Sequence, residues 1–458
     1  MPRIAILGGS FDPPGRQQRE LAERLAAAFD RVIIVPQGMR PDRVAAPDTS
    51  PVFRAAMADI TFRGLERVEV ELCDLEDQVE THPIELEERF RDIGEIWHVV
   101  PAELLHGGRA SRIFHYWDRA AEMWSQSRFI ILRQPHEPLG DDLPTHHEIW
   151  DVRPFLPASE LRRRVFEHES VGDLVLPEVA SYIDRHGLYR GVAATRHSTF
   201  RAQRPRFKLF FDEQNEASRR LADTLRRYES KDPEMIVVLG GDGSMLRAIR
   251  QLWRERLPFY GMNTGTVGFL LNDQQVYDDS EHAFWDRDLR LYQLPLLWVE
   301  AETTEGKSVA GYAFNEVWVE RATGQTAWLN LRVNRQERIP KVVCDGMLVS
   351  TAAGSTAYAR AMGGPPVPFT TPVLVLAGSN VLTPLFWRPA VLPSASEVEM
   401  TAIDPVKRPI VGYLDGVALG PIRSMKARAS RTAAVELAFQ PEHDPVTKLA
   451  RLQFSANG

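Results

Sequence analysis

Apolar residues recur along this chain in two rhythms. Short unbroken runs at Ile4 to Leu7, Val32 to Val35, Trp97 to Val100 and Phe129 to Leu132 have the length of buried strands. After the first run, RQQRELAERLAAAF sets Leu21, Ala22, Leu25 and Ala26 on one face, which is helical spacing. Strand, helix and strand within roughly 30 residues predict a βαβ unit and a parallel sheet. A helical stretch is expected around Ala102 to Leu105, and a loop over Pro135 to His147, where Pro, Gly, Asp and His gather.

The second half opens in the same manner. Phe207 to Phe211 reads as a strand, Asn215 to Tyr228 as an amphipathic helix, and Met235 to Leu239 as a buried strand. That strand runs straight into Gly240-Gly241-Asp242-Gly243-Ser244. Apolar positions at Met245, Leu246, Ile249, Leu252 and Trp253 then predict a helix. Another strand is expected at Leu257 to Gly261, followed by a second glycine-rich turn from Asn263 through Gly265 and Gly268 to Phe269 and Leu270. Turns on neighbouring parallel strands lie along the carboxyl edge, where open α/β sheets bind ligands. From about residue 290 the pattern becomes short β segments: Trp298 to Ala301, Tyr312 to Glu320, Trp328 to Val333, Val342 to Val349, Val373 to Ala377, Val398 to Ala402 and Ala434 to Phe439. These predict a mostly antiparallel β-rich domain.

The turn at 240 to 244 is the chemical centre of this pattern. Glycine lets a backbone take positive φ and approach a ligand closely. Amides exposed at a helix start suit phosphate. Asp242 would repel phosphate, but it is well placed to meet a hydroxyl or a metal beside it. A tight turn that merely needs glycine is the plainer alternative. Residues 345 to 368 form a second dense run of small and hydroxyl residues, suited to close backbone approach.

Length and charge narrow the picture. The 458 residues suggest two or three domains at about 150 residues each. A net charge of −7 gives no case for nucleic acid or an anionic membrane as partner. Cys73 and Cys344 are far apart and lack metal-ligand spacing, so a reducing, cytoplasmic setting is expected. The apolar start is too short for a signal peptide, and no run of about 18 apolar residues follows. His136, His146 and His147 could suggest metal, but no carboxylate-histidine spacing supports it. The arginine-rich segment 192–206 has no apolar period and reads as an exposed linker.

The expected division is 1–191, linker 192–206, an α/β domain at 207–288, and a β-rich domain at 289–458 whose last segment returns to the α/β part.

Gly8-Gly9-Ser10-Phe11-Asp12-Pro13-Pro14 resembles the opening motif of the nicotinate/nicotinamide-nucleotide adenylyltransferases, whose turn continues into His-x-Gly-His. Here Gly15 and Gln18 stand where those histidines would be. Leu156 to Arg162 resembles that family's phosphate-binding segment, with Ser159 and Arg162 kept in kind. LPEVASYIDRHGLYRG is similar to its closing helix. The resemblance implies a Rossmann-like nucleotidyltransferase fold with a degenerate nucleotide site at Gly8, Gly9, Ser10, Ser159 and Arg162. Glutamine offers only a neutral amide where histidine offers charge. A non-catalytic or regulatory module is therefore expected, with a bifunctional adenylyltransferase as the alternative. Arg16 could partly substitute as a cation.

Residues 207 to 458 resemble the NAD kinase family. Lipid kinases and phosphofructokinases share the GGDGS turn, but further blocks discriminate: Asn263 with Gly265, Gly268, Phe269 and Leu270; Asn315-Glu316; Asp345-Gly346; Ser350-Thr351; and Gly354 to Tyr358. The resemblance implies phosphoryl transfer from ATP to the 2′-hydroxyl of the adenosine ribose of NAD. In it Asp242 orients and deprotonates that hydroxyl, while Asn315 and Glu316 hold the adenosine. Asp345, Thr356, Ala357, Tyr358 and Gly243 line the rest of the NAD site, with Phe269 nearby. The donor phosphates lie against Gly240, Gly241, Gly243 and Ser244. No lysine follows the turn as in a P-loop, so a divalent ion, Mg2+, is expected, with ligands the sequence does not identify. The family also implies a homo-oligomer, a dimer or tetramer. Three positions depart from its pattern: Ala361 where serine is common, Thr383 where histidine often precedes Arg388-Pro389, and Val417 after Asp415-Gly416 where glutamine is frequent. They bear on the nicotinamide end and on the choice between NAD and NADH.

Overall fold

The computed structural model describes residues 1–38, 49–79, 81–191, 194–202, 206–265, 268–273, 287–443, 445 and 448–449. Parts of the expected linker, Thr266 and Val267 of the second glycine turn, and residues 450–458 lie outside the described residues. The chain divides into two compact units, Met1–Thr195 and Arg196–Gly458. No helix among the described residues is long and apolar enough to cross a membrane.

The first unit is built on six strands: β1 (Arg3–Gly9), β2 (Arg31–Pro36), β3 (Val68–Val70), β4 (Glu95–Pro101), β5 (Arg128–Arg133) and β6 (His146–Asp151). They form one sheet in the order β3-β2-β1-β4-β5-β6, and every pairing is parallel. The winding reverses between β1 and β4, which opens a crevice at their carboxyl ends. The apolar runs seen in sequence are the buried centres of β1, β2, β4 and β5. Ala102–Leu105 is helical as expected, as a single 3-10 turn. One expectation changes. His146 and His147 open β6 instead of closing a loop. As an edge strand, β6 is solvated along one side, so polar residues are tolerated there and the apolar signal is weak. The helix Pro51–Phe62 escaped the sequence pattern because it is buried nearly all round and shows little amphipathic contrast.

In the second unit, β8 (Phe207–Phe211), β9 (Met235–Gly240) and β10 (Phe259–Asn263) pair in parallel. The helix Glu216–Leu225 follows β8 and is capped by Asn215, whose side chain accepts from the Ser218 amide. The helix Asp242–Leu252 follows β9. The β-rich part comprises β11 (Leu289–Thr303), β12 (Ser308–Ala313), β13 (Glu316–Arg321), β14 (Ala327–Val333), β15 (Gln336–Cys344), β16 (Gly346–Thr351), β17 (Val373–Ser379), β18 (Ala390–Pro393), β19 (Glu397–Ala402), β20 (Ile410–Leu414) and β21 (Val417–Phe439). Pairing among these is antiparallel. Two segments expected to be continuous are broken. Tyr312 to Glu320 splits into β12 and β13 at Phe314 and Asn315, and Val342 to Val349 splits at Asp345.

The strand β21 joins the two halves of this unit. Its start pairs with β20 and its later residues with β19 and β11, while Leu437 and Ala438 near its end pair in parallel with Phe259 and Tyr260 of β10, respectively. The expected linker also contributes structure: His197–Phe200 is a strand, β7, antiparallel to Leu289–Tyr292 of β11. Its alternating exposure was hidden by the arginines around it.

Candidate functional site

Two turns leave adjacent parallel strands at the carboxyl edge of the second unit. At the end of β9, Gly240 takes φ +153°, and a Cβ there would lie 2.3 Å from Ser244 Oγ. Gly241 is the helix N-cap with extended backbone, so only the first glycine of the motif is required for its conformation. Nothing lies within 4 Å of where a Cβ would stand on Gly241 or Gly243, so neither position is crowded. The Ser244 hydroxyl is 3.4 Å from Arg247 Nη2, and the same guanidinium pairs with Asp212 at 2.8 Å. Arg247 is a cation beside the loop that sequence reading passed over, because it sits one helical turn beyond the motif instead of immediately after it.

Asp242 begins the helix and reaches across to the second turn. Its Oδ2 accepts from the Phe269 amide at 3.0 Å and its Oδ1 from the Leu270 amide at 2.9 Å. Gly268 makes that approach possible, since a Cβ on it would stand 2.7 Å from Leu271 Cδ1 and 3.4 Å from Asp242 Oδ1. Burial pushes the Asp242 carboxyl above its ordinary value, against the pull of the Leu270 and Phe269 amides and of Lys448. A carboxylate has about four lone-pair sites, so two amide bonds leave Asp242 able to accept from a ligand hydroxyl.

The second turn is fixed from behind by Asn272. Its Nδ2 donates to Gly261 O at 3.0 Å and Ala438 O at 3.1 Å, and its Oδ1 accepts from the Gln440 amide at 2.8 Å. Asn263 Oδ1 accepts from the Gly265 amide at 2.9 Å. No sequence signal marked Asn272, because two of its side-chain partners, Ala438 and Gln440, lie more than a hundred residues away. A cleft of about 350 Å3 adjoins this turn, lined by Phe269, Leu270, Ala353, Thr356 and Phe369 among others. The structure thus brings Asp242, Phe269 and Thr356 into one neighbourhood.

Asn315 and Glu316 stand where β13 begins, 5% and 7% exposed. The Asn315 carbonyl accepts from the Thr351 amide at 2.8 Å, which ties this pair to the end of β16. Asn315 Oδ1 and Glu316 Oε2 are buried with no hydrogen-bond partner. Burial, reinforced by the nearby Asp415 carboxylate, pushes the Glu316 carboxyl up to about 8. Tyr358 is exposed, and its ring meets Trp318 edge-on at 5.4 Å. Ala357 closes the short turn before it.

Asp345 is elsewhere. It lies at the opposite end of the β13–β16 pair, where Arg321 Nε contacts its Oδ1 at 2.7 Å and Asn380 Nδ2 its Oδ2 at 2.7 Å. Glu316 faces Ser350 and Glu320 faces Gly346, so at roughly 3.4 Å per residue the two ends are about 17 Å apart. Within one chain, Asp345 is therefore not brought to the Asn315–Glu316 pair. Among the described residues, no three His, Cys, Asp or Glu side chains come together as a metal site.

In the first unit, Gly8, Gly9 and Ser10 line a cavity of about 780 Å3 at the β1–β4 crevice, together with Asp74, His98 and Trp117. The polar groups expected to serve phosphate are engaged elsewhere. Gln18 Oε1 accepts from the Gly15 amide at 2.7 Å and so caps its own helix. Arg16 donates to Val175 O at 3.0 Å and Gly172 O at 3.2 Å, so it does not act as a substitute cation. Arg162 donates to Asp12 O at 2.6 Å, and Ser159 is exposed. Neither Ser159 nor Arg162 lines the cavity.

Two family profiles match the chain: the ATP-NAD kinase N-terminal domain over residues 178–277 and the ATP-NAD kinase C-terminal domain over residues 314–419. The NAD kinase of Zymomonas mobilis is 35% identical over 240 residues, which cover 52% of this chain and 92% of that protein. That of Rhizorhabdus wittichii is 37% identical over 233 residues, covering 48% and 86%. A solved NAD kinase from Archaeoglobus fulgidus in complex with ATP is 21% identical, with a TM-score of 0.43, over 54% of this chain and 98% of that one.

Proposed function

The chain belongs to the NAD kinase family and is an NAD kinase, a phosphotransferase; on that premise we propose that Asp242 is its general base, acting on the 2′-hydroxyl of the adenosine ribose of NAD with ATP as donor. The observation that carries this reading is the Asp242 carboxylate, held between two glycine turns by the Phe269 and Leu270 amides. A ribose hydroxyl is a poor nucleophile, and phosphoryl transfer is catalysed mainly by positioning and charge neutralisation. Asp242 takes the hydroxyl proton as the oxygen bonds to the terminal phosphorus of ATP, and ADP leaves. Its elevated proton affinity makes it a stronger base than a solvated carboxylate. Backbone amides at the helix start, beside the uncrowded Gly241 and Gly243, suit the donor phosphates. The described side chains offer no cage for a resident ion. Mg2+ enters this reading only as the counter-ion that arrives with ATP, and no step is routed through it.

Asn315 and Glu316 supply the adenosine end, because both carry a buried polar atom that awaits a partner. Thr356 and Phe269 line the adjoining cleft. The test is Asp242→Asn assayed for NADP formation. A general base contributes about 100-fold to 10,000-fold, so kcat falls at least about 100-fold. Unchanged NADP formation would reject Asp242 as the base.

The first unit we read as a nucleotide-binding module without adenylyl transfer. Its cavity is present, but Gln18, Arg16 and Arg162 are bound to the protein's own backbone. Release of pyrophosphate from ATP and either pyridine mononucleotide by the full chain would overturn that reading.

A further inference from the structure

Asp415 attracted no attention in sequence except as the frame of a departure at Val417, because Asp-Gly is an ordinary hairpin turn. In the structure it links β20 to β21 with φ +43°, followed by Gly416 at φ +82°. Its side chain does not face solvent. Asp415 Oδ2 accepts from the Phe314 amide at 2.5 Å, and its Oδ1 accepts from the Asn315 amide at 2.8 Å and the Glu316 amide at 3.0 Å. The Asp415 amide in turn donates to Glu316 O at 3.0 Å. One carboxylate thus organises the whole segment that presents the Asn315 and Glu316 side chains.

The surroundings of Glu316 fix its charge. Its Oε2 is buried without a partner, and among the described residues it forms no ion pair. Across β16 it faces Ser350, which is neutral. From β20–β21 it faces Asp415, whose two oxygens accept from three backbone amides, as an ionised carboxylate does; burial pushes the Asp415 carboxyl up, against the pull of those amides and of Arg250. Arg250, on the helix Asp242–Leu252, acts on Asp415 and not on Glu316. A buried carboxyl with no cation of its own, beside a second carboxyl that takes the available amides, favours the protonated form.

We propose that Glu316 meets the dinucleotide as a neutral acid that donates a hydrogen bond to a hydroxyl oxygen or ring nitrogen, and that Asp415 is the positioning residue that sets this geometry and charge state. The inference rests on the reading that Asn315 and Glu316 belong to the NAD site. It makes Glu316 a donor, where an ionised glutamate would only accept. NAD affinity at this site is therefore lost as Glu316 ionises.

The test is calorimetric titration of the full chain with NAD from about pH 6.5 to about pH 9.5. In the unsubstituted protein the dissociation constant is flat at low pH and rises about tenfold per pH unit above the Glu316 midpoint, near 8. Glu316→Gln, a permanent neutral donor, binds NAD within about threefold of the low-pH value and shows no rise. Asp415→Asn removes the negative charge, so the rise begins at lower pH. A flat profile in the unsubstituted protein, with Glu316→Gln weaker at every pH, would show an ionised acceptor and overturn the proposal. A rise whose midpoint is unmoved by Asp415→Asn would remove Asp415 from it. If Glu316→Ala binds NAD as tightly as the unsubstituted protein at every pH, the assignment of Glu316 to the NAD site fails instead.

Discussion

At the end of β1, the turn after Gly8-Gly9 closes on itself. Gln18 caps the Gly15 amide, and Arg16 and Arg162 bind backbone carbonyls. Arg54 joins them, donating to Ser10 O at 2.6 Å and Gln37 O at 2.6 Å. At the end of β9 the same strand-turn-helix outline has the opposite economy of hydrogen bonds. Gly241 and Gly243 are uncrowded, Asp242 keeps free lone pairs, and Asn315 Oδ1 and Glu316 Oε2 have no partner. Both turns follow a parallel strand with glycine. What separates them is whether the polar groups around the turn are satisfied within the protein or left for a ligand. An unmade hydrogen bond in a buried site costs stability, and a site that keeps several of them recovers that cost only when a ligand binds.

The comparison can be broken most sharply at Asp242. If its free lone pairs are the chemistry, Asp242→Asn lowers kcat by about 100-fold or more with a smaller change in KM for NAD, read by steady-state NADP formation. The next largest effect is at Gly240. Alanine there strains a positive-φ position and crowds Ser244, so Gly240→Ala destabilises the second unit by about 1–3 kcal/mol and lowers NADP formation, measured by denaturant unfolding and by assay. Asn272→Ala removes the side-chain donor to the Gly261 and Ala438 carbonyls and the acceptor of the Gln440 amide, while Gly261 O keeps the Asn272 backbone amide. It costs about 2 kcal/mol and loosens the turn that holds Asp242, so kcat falls with stability.

The pH profile sharpens the same point. Asp242 must be ionised to accept a proton, and its folded value lies above that of a solvated carboxylate. The acid limb of kcat, measured at saturating NAD and ATP, therefore lies above the ordinary carboxylate range and shows activity falling as pH falls. The smallest effect is in the first turn. Gln18→Ala removes a cap and costs about 1 kcal/mol, seen as an earlier unfolding transition of the first unit, with NADP formation unchanged. A large loss of kinase activity in that variant would mean the first turn is not merely structural.

Much of this was legible in the residues. Unbroken apolar runs gave β1, β2, β4, β5 and β9, because strands buried on both faces carry no polar interruption. The GGDGS turn and the helix after it were placed correctly, because glycine and helical periodicity are local signals. Edges and joins were harder to read. The strands β6 and β7 are short and largely exposed, and the helix Pro51–Phe62 is buried on nearly all sides, so none of them shows the expected contrast.

Sequence by itself determined which of the strongly periodic segments become strands and helices, where both glycine turns fall, and which family the second unit resembles. These follow from short-range constraints: side-chain periodicity, backbone freedom at glycine, and motif spacing. Tertiary structure alone decided which polar groups are free. It tied Asp242 to the Phe269 and Leu270 amides, set Asp415 beneath Asn315 and Glu316, placed Asp345 with Arg321, and turned Arg16 and Arg162 toward their own backbone. Each of those partners is distant in the chain or hidden in an ordinary turn. Hydrogen-bond satisfaction is a property of what folding brings together, and no local pattern of residues records it.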